Sequence, residues 1–216
     1  MARPSLNEEE RNARRRQLLD AAHQLFRVRG ALPTVADIAQ AAGFAKGSVY
    51  LSFSTKEEIF IALLEDSFNQ LLARLAPLVH ALPPAPAGAA AMFATHYIDA
   101  LGELPDLLPL AAMTNSVLEK NLPLAAMLQF KQGLAAGLAA AGAALDGAQL
   151  GLAPGAGADL LLHTWGLTIG LWQALDYPAE VRACIGAPDT RILDRDFGHE
   201  LHAALGALWR GSLLPA

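Results

Sequence analysis

The chain has 216 residues, 53% of them hydrophobic and 17% charged, with a formal net charge of −5. That composition excludes a disordered or low-complexity chain and supplies enough apolar material for one large domain, or for a small domain joined to a larger one. The single cysteine, Cys184, excludes an internal disulfide framework and a multi-cysteine metal site, and reads as a buried small hydrophobe.

Alanine and leucine dominate while β-branched and aromatic residues are few, so helix is the natural reading. The N-terminus carries Glu8, Glu9 and Glu10, then Arg14, Arg15 and Arg16, with no apolar signal segment. Together with the lone cysteine this fits a reducing cytoplasm. Ser5-Leu6-Asn7-Glu8 has the capping-box pattern, and Leu18, Leu19, Ala22, Leu25 and Phe26 mark one face of the helix that follows, up to a stop at Gly30. A second helix is expected near Thr34 with Asp37 three residues on, Val35, Ile38, Ala39 and Ala42 inward, and Gly43 as its break. A short helical segment follows from about Ala45 to Phe53. Ser54-Thr55-Lys56-Glu57 reads as a further capping box opening a long helix, 55–81, which Pro77 and then 83-PPAP-86 bend or end. Helices are then expected at 89–104, at about 107–119, and from Pro123 to about Leu145. A Gly/Pro loop at 146–157 precedes two more helices near 157–176 and 190–210, joined by a loop holding Pro178, Gly186 and Pro188. No strand pattern and no internal repeat stands out, so the fold class is all-α. The most apolar window, 160-LLLHTWGLTIGLWQAL-175, is too short and too polar for a spanning helix, which needs roughly 20 apolar residues.

The segment 41-AAGFAKGSVYLSF-53 is poor material for an ordinary buried helix. Two short helices joined by a glycine-containing turn describe a helix-turn-helix, whose second helix enters the DNA major groove. On this reading Val49 and Phe53 hold the second helix to the domain while its outer face meets DNA. Lys46 donates to phosphate or guanine, Ser48 and Ser52 are short donors and acceptors, Gly47 admits close backbone approach, and the Tyr50 hydroxyl reaches phosphate. Thr34 and Lys56 sit at helix N-termini, where amide donors also favour phosphate. Arg14, Arg15 and Arg16 are either a solvated charge run or non-specific phosphate contacts. Residues 1–60 hold nine Lys and Arg against seven Asp and Glu, a balance of +2, and the remainder holds seven against fourteen, −7. A slightly basic head on an acidic body lets one end face phosphate while the rest repels it.

At these residues the chain resembles the tetracycline-repressor-like (TetR) family of transcriptional regulators. The resemblance covers 18–64 and rests on A-x-x-L-F at 22–26, Gly30, T-V-x-x-I-A at 34–39, A-G at 42–43 and K-G-S-V-Y-x-x-F-x-x-K-E-E at 46–58. The family often shows an aromatic residue and then histidine where this chain has Leu51 and Ser52. The resemblance implies an all-helical homodimer with an N-terminal helix-turn-helix domain of three helices, here 1–54. A larger C-terminal helical domain for effector binding and dimerisation, 55–216, follows. DNA-binding residues are then Thr34, Ala45, Lys46, Gly47, Ser48, Tyr50, Leu51, Ser52 and Lys56. The partners are double-stranded DNA with an inverted-repeat operator, a second copy of the chain, and a small-molecule effector, with no membrane.

Two half-sites read by a dimer lie about 34–36 Å apart, so the protomers must be joined. The last two long helices are the expected interface, through Leu160, Leu167, Gly170, Leu171, Phe197, Leu201, Leu205 and Leu208, the alternative being that both are monomer core. The effector site is expected among the helices between 60 and 175, with Phe93, His96, Tyr97, Met113, Asn115, Phe130, His163 and Trp165 as candidate lining residues or ordinary core. The scarcity of charge there favours an apolar or weakly polar effector. His199 and His202 form an i, i+3 pair with only Asp196 nearby in sequence, too little for a metal site, and no cofactor is expected. The glycines at 151–157 follow no strand and lack nucleotide-binding spacing, and no G-x-S-x-G, H-E-x-x-H or Walker sequence is present, so no enzyme is expected. The expected function is a ligand-responsive regulator, most simply a repressor. The alternative is an effector-independent DNA-binding protein or an activator of the same fold, which a filled C-terminal core would favour.

Overall fold

The structure is a computed structural model that describes residues 8–114 and 119–213. Its helices are α1 (Glu8–Arg29), α2 (Val35–Ala41), α3 (Lys46–Val49), α4 (Lys56–Ala81), α5 (Pro86–Gly102), α6 (Leu107–Ala112), α7 (Leu124–Gly147), α8 (Ala156–Leu175), α9 (Ala179–Ile185) and α10 (Phe197–Leu213), with 3-10 turns at Glu119–Asn121 and Arg191–Leu193. No strand occurs among the described residues. The chain divides into two compact units, one of Met1–Asp66 with Met113–Phe130, the other of Ser67–Ala112 with Lys131–Ala216. Helices α4 and α7 each contribute to both.

In the first unit, α1 buries Leu18, Ala21, Ala22 and Phe26, while Leu19 and Leu25 are half-buried. Val35, Ile38 and Ala39 of α2 and then Val49, Phe53, Ile59 and Phe60 close this core, with the rings of Phe26 and Phe60 6.2 Å apart. Gly30 ends α1 at φ +64°, and Gly43 turns the chain after α2 at φ +73° so that the Phe44 N–H reaches the Ala39 carbonyl at 2.8 Å. Both are left-handed positions that favour glycine. Thr34 and Asp37 form a full capping box on α2, as their spacing implies. The box before α4 differs from the expected register by one residue. Thr55 Oγ1 accepts from the Glu58 N–H at 3.2 Å, and the Glu58 carboxylate accepts from the Ser54 N–H at 2.7 Å. Thr55 is therefore the cap, because α4 starts at Lys56. The box proposed around Ser5 lies outside the described residues.

In the second unit α10 packs on α5 and α8. Trp209 is 0% exposed and stacks on Phe93 with centroids 3.6 Å apart, and Phe93 stacks in turn on Tyr97 at 5.4 Å. Burying an indole of this size contributes on the order of 5 kcal/mol of transfer free energy. Its Nε1–H donates to Thr164 Oγ1 at 3.0 Å, and the Thr168 hydroxyl donates to the Thr164 carbonyl at 2.7 Å. With that proton committed, Tyr97 donates its own to Thr168 Oγ1 at 3.1 Å. Burial pushes the Tyr97 phenol well above its ordinary range, so it stays a donor at any physiological pH.

Helices α7 and α8 cross at glycine. A Cβ on Gly142 would collide with the Ala158 backbone, and one on Gly157 with the Gly142 carbonyl. The start of α8 has no capping side chain of its own, since Gly155 holds the N-cap position at φ +84°. Asp146 of α7 supplies the cap, accepting from the Gly155 N–H at 2.9 Å and the Gly157 N–H at 2.8 Å.

Several boundaries differ from expectation. The end of α4 does not: the helix runs through Pro77 to its expected end at Ala81, with Leu75, Leu78 and Val79 buried around the one backbone hydrogen bond proline removes. The 178–188 stretch expected as loop contains α9, for which Pro178 is the N-cap, a place where its missing N–H is not needed. Helix α6 stops at Ala112, and α10 begins at Phe197, where Asp196 caps it by accepting from the His199 N–H at 2.8 Å. Cys184, expected to be buried, is exposed on α9.

Candidate functional site

Backbone hydrogen bonds from Ser48 to Ala45 and from Ser52 and Phe53 to Val49 carry helical geometry past α3, so 45–53 turns as one short helical segment. Within it Val49 and Phe53 are 1% and 2% exposed, facing the core. Lys46, Gly47, Tyr50 and Leu51 are exposed, and their spacing of 1, 4 and 5 residues places them on one outward face. Ala45 is also exposed, while Ser48, Ser52 and Lys56 are half-buried at its edges. No Cβ contact would arise at Gly47 within 4 Å, so backbone is open to approach there.

Thr34 stands apart from this group. Its hydroxyl donates to Asp37 Oδ2 at 2.8 Å and its backbone N–H to the same oxygen at 3.0 Å, while Arg29 reaches that oxygen at 2.8 Å. Arg29 first and then Thr34 hold the Asp37 carboxyl down at about 2, well below the usual carboxylate range. Both donors of Thr34 thus hold α2 together, and a phosphate there would have to displace Asp37. Two of the three clustered arginines also have structural work. The Arg14 guanidinium lies 5.5 Å from the Phe44 ring and that of Arg15 4.4 Å from the Phe53 ring, so each braces an aromatic of the helix-turn-helix. Arg16 is exposed.

The second unit holds an apolar cavity of about 340 Å³. Its walls are Leu72, Ala73, Leu75, Ala76 and Val79 of α4, Phe93 of α5, Gly137, Ala140, Ala141 and Ala144 of α7, and Leu161 of α8. Every lining side chain is hydrocarbon or hydrogen. Of the expected effector residues only Phe93 lies in this wall. Tyr97 is buried beside it in the hydrogen-bonded network, His96 and His163 are exposed, and Trp165 is half-buried edge-on to Phe68 at 5.3 Å. Met113 and Phe130 belong to the first unit, where Phe130 borders a smaller cleft with Arg15, Phe53 and Ile61. Asn115 lies outside the described residues. The α7 side of the wall was missed because Gly137 and three alanines make it, and the available signal was the run of small residues from Gly133 to Ala144.

The expected interface residues divide in the same way. Leu160, Leu201 and Leu205 are 2%, 0% and 0% exposed within the single chain. They belong to the protomer's own core, which corrects their assignment to an interface. Leu167, Leu171, Phe197 and Leu208 are half-buried, and Gly170 is exposed. Gly170 shares an outward face of α8 with Leu162, Gly166 and Gln173. His199 and His202 are exposed, and among the described residues no three His, Cys, Asp or Glu side chains gather as a metal site needs. Among the described residues no helix is long and apolar enough to cross a membrane.

Comparison with known proteins agrees with this arrangement. Residues 18–63 match the family described as bacterial regulatory proteins, tetR family, and residues 65–216 match the tetracyclin repressor-like C-terminal domain. Among curated relatives, the uncharacterized HTH-type transcriptional regulator YfiR of Bacillus subtilis is 34% identical over 73 residues, covering 33% of this chain and 36% of that protein. The HTH-type transcriptional repressor KstR2 of Mycobacterium tuberculosis is 42% identical over 69 residues, covering 32% and 34%. Each alignment thus spans about a third of the relative's length. The fold is shared with a solved TetR-family regulator from Mesorhizobium loti, with a TM-score of 0.59 at 18% identity over 94% of this chain and 96% of that one. It is also shared with the regulator FadR from B. subtilis in complex with stearoyl-CoA, with a TM-score of 0.52 at 18% identity over 90% and 97%. By its match to both domains, this chain belongs to the TetR family of bacterial transcriptional regulators.

Proposed function

We propose that the chain is a ligand-responsive repressor that binds an inverted-repeat operator as a homodimer and leaves it when an apolar or weakly polar effector occupies the second unit. The outward face of Lys46, Gly47, Tyr50 and Leu51 carries the DNA-reading part of this proposal. It offers a cation, bare backbone and a phenol on a segment whose apolar residues Val49 and Phe53 point inward. Ala45, Ser48, Ser52 and Lys56 complete its edges. The head is assigned to 1–54, and ligand binding and dimerisation to 55–216.

The cavity supports the effector. It is roomy, lacks hydrogen-bonding side chains, and shares Phe93 with the core beneath α10. KstR2 is named a repressor and FadR is solved with stearoyl-CoA, which fits repression and an aliphatic effector here. The outward faces of α8, with Leu162, Gly166 and Gly170, and of α10 are the proposed dimer contact. Release requires an effector that binds the DNA-incompetent state more tightly than the competent one.

The deciding experiment is selection of bound fragments from genomic DNA, with Lys46→Ala as control. An enriched inverted repeat, lost in the control, is the expected result. No enrichment at low salt from a folded dimer would refute the DNA-reading assignment. Ala141→Leu, which fills the cavity, should keep operator binding and abolish release by an effector. Release that persists in this variant would place the effector elsewhere.

A further inference from the structure

The reading face contains one residue that phosphate binding does not explain. Leu51 is 78% exposed, against 50% for the neighbouring Tyr50. It lies four residues after Gly47 on the same outward face. A leucine in a helical turn leans towards the turn before it, and there Gly47 has no side chain and open space around it. An isobutyl group therefore stands over bare backbone, flanked by Lys46 and Tyr50. Phosphate gives no partner to an aliphatic group set between a cation and a phenol.

The major groove does. Its base edges present hydrogen-bond donors and acceptors, plus one apolar feature, the C5-methyl of thymine. We infer that Leu51 reads a thymine methyl in each operator half-site, with Gly47 left bare so that backbone and base edge can approach. Lys46 and Tyr50 supply position on the phosphates, and Leu51 supplies sequence preference. This rests on the assignment of the 46–51 face to DNA reading.

The test replaces each thymine of a selected operator by deoxyuridine, which removes only the methyl, first singly and then at the matching positions of both half-sites. Affinities of the full chain are measured by fluorescence anisotropy at fixed salt, for the unaltered protein, Leu51→Ala and Leu51→Met. One thymine per half-site should give about a four-fold loss on losing its methyl, and about sixteen-fold when both half-sites lose it, the value of a buried methyl-sized group. Leu51→Ala should bind the thymine operator correspondingly less well and be indifferent to deoxyuridine there, while Leu51→Met should keep the discrimination. Because Leu51 is exposed, its variants should retain the circular dichroism of the parent. Selective binding in which no thymine position couples to Leu51 overturns this inference and leaves DNA reading intact. Absence of any selective duplex binding overturns both.

Discussion

Removing Asp146 tests how the second unit is held together. Its carboxylate accepts two N–H groups at the start of α8, at 2.9 and 2.8 Å, in place of a cap that Gly155 cannot provide. Loss of a capping side chain costs about 1 kcal/mol, and loss of a negative charge at a helix N-terminus up to about 1 more where the site is partly buried. Asp146→Ala should therefore destabilise the chain by about 2 kcal/mol. At about 2–4 °C per kcal/mol for a chain of this size, the melting temperature should fall by roughly 4–8 °C. Asp146→Asn keeps one oxygen for one of the two N–H groups and should fall between. The control is Asp159→Ala. Asp159 sits exposed in the first turn of the same helix, so it shares the dipole term but caps nothing, and its loss should stay within about 0.5 kcal/mol. Thermal and urea denaturation of the three variants decide the matter. An Asp146→Ala protein as stable as the parent would mean that water caps α8 and that the carboxylate holds nothing.

Other perturbations bear on the remaining links. Gly142→Ala should destabilise by more than about 3 kcal/mol or prevent folding, since the new methyl meets Ala158 backbone. Gly147→Ala, with nothing within 4 Å, should be neutral or stabilising by up to about 1 kcal/mol in the same denaturation assay. Asp37 is held down at about 2 in the folded head, so its contribution is complete above the ordinary carboxylate range and drains as pH falls from about 4 towards 2. Arg29→Ala should return its titration towards ordinary values in a carboxyl-carbon NMR experiment, and an unchanged midpoint would refute the role given to Arg29. Gly166→Leu should leave the single chain folded while sedimentation shows a weakened dimer. An undiminished dimer would remove this face of α8 from the interface.

The reading head was legible in the sequence because its determinants are local. Thr34 with Asp37, glycine at 30 and 43, and Val49 with Phe53 lie within a few residues of what they organise. The register slip at Thr55 shows the limit of that legibility, since Ser54 and Thr55 both satisfy the pattern and only the helix start separates them. The second unit was legible as helices but not as a site. Helix α8 is apolar on nearly every side, so spacing cannot separate Leu160, which faces the core, from Leu162, which faces out. The cavity is defined by what is missing from Gly137, Ala140, Ala141 and Ala144, and its other wall comes from α4, about 65 residues away in sequence. Asp146 caps a helix across a loop, a contact that no capping pattern encodes.

Cys184 stands exposed on α9 as the chain's one thiol. A nitroxide attached there labels a single position per chain, with no competing cysteine to remove first. In a paired molecule two such labels give one distance, which pulsed electron spin resonance reads directly. The same sample would then show whether two copies associate, how far apart their α9 helices sit, and whether a hydrophobic compound moves them.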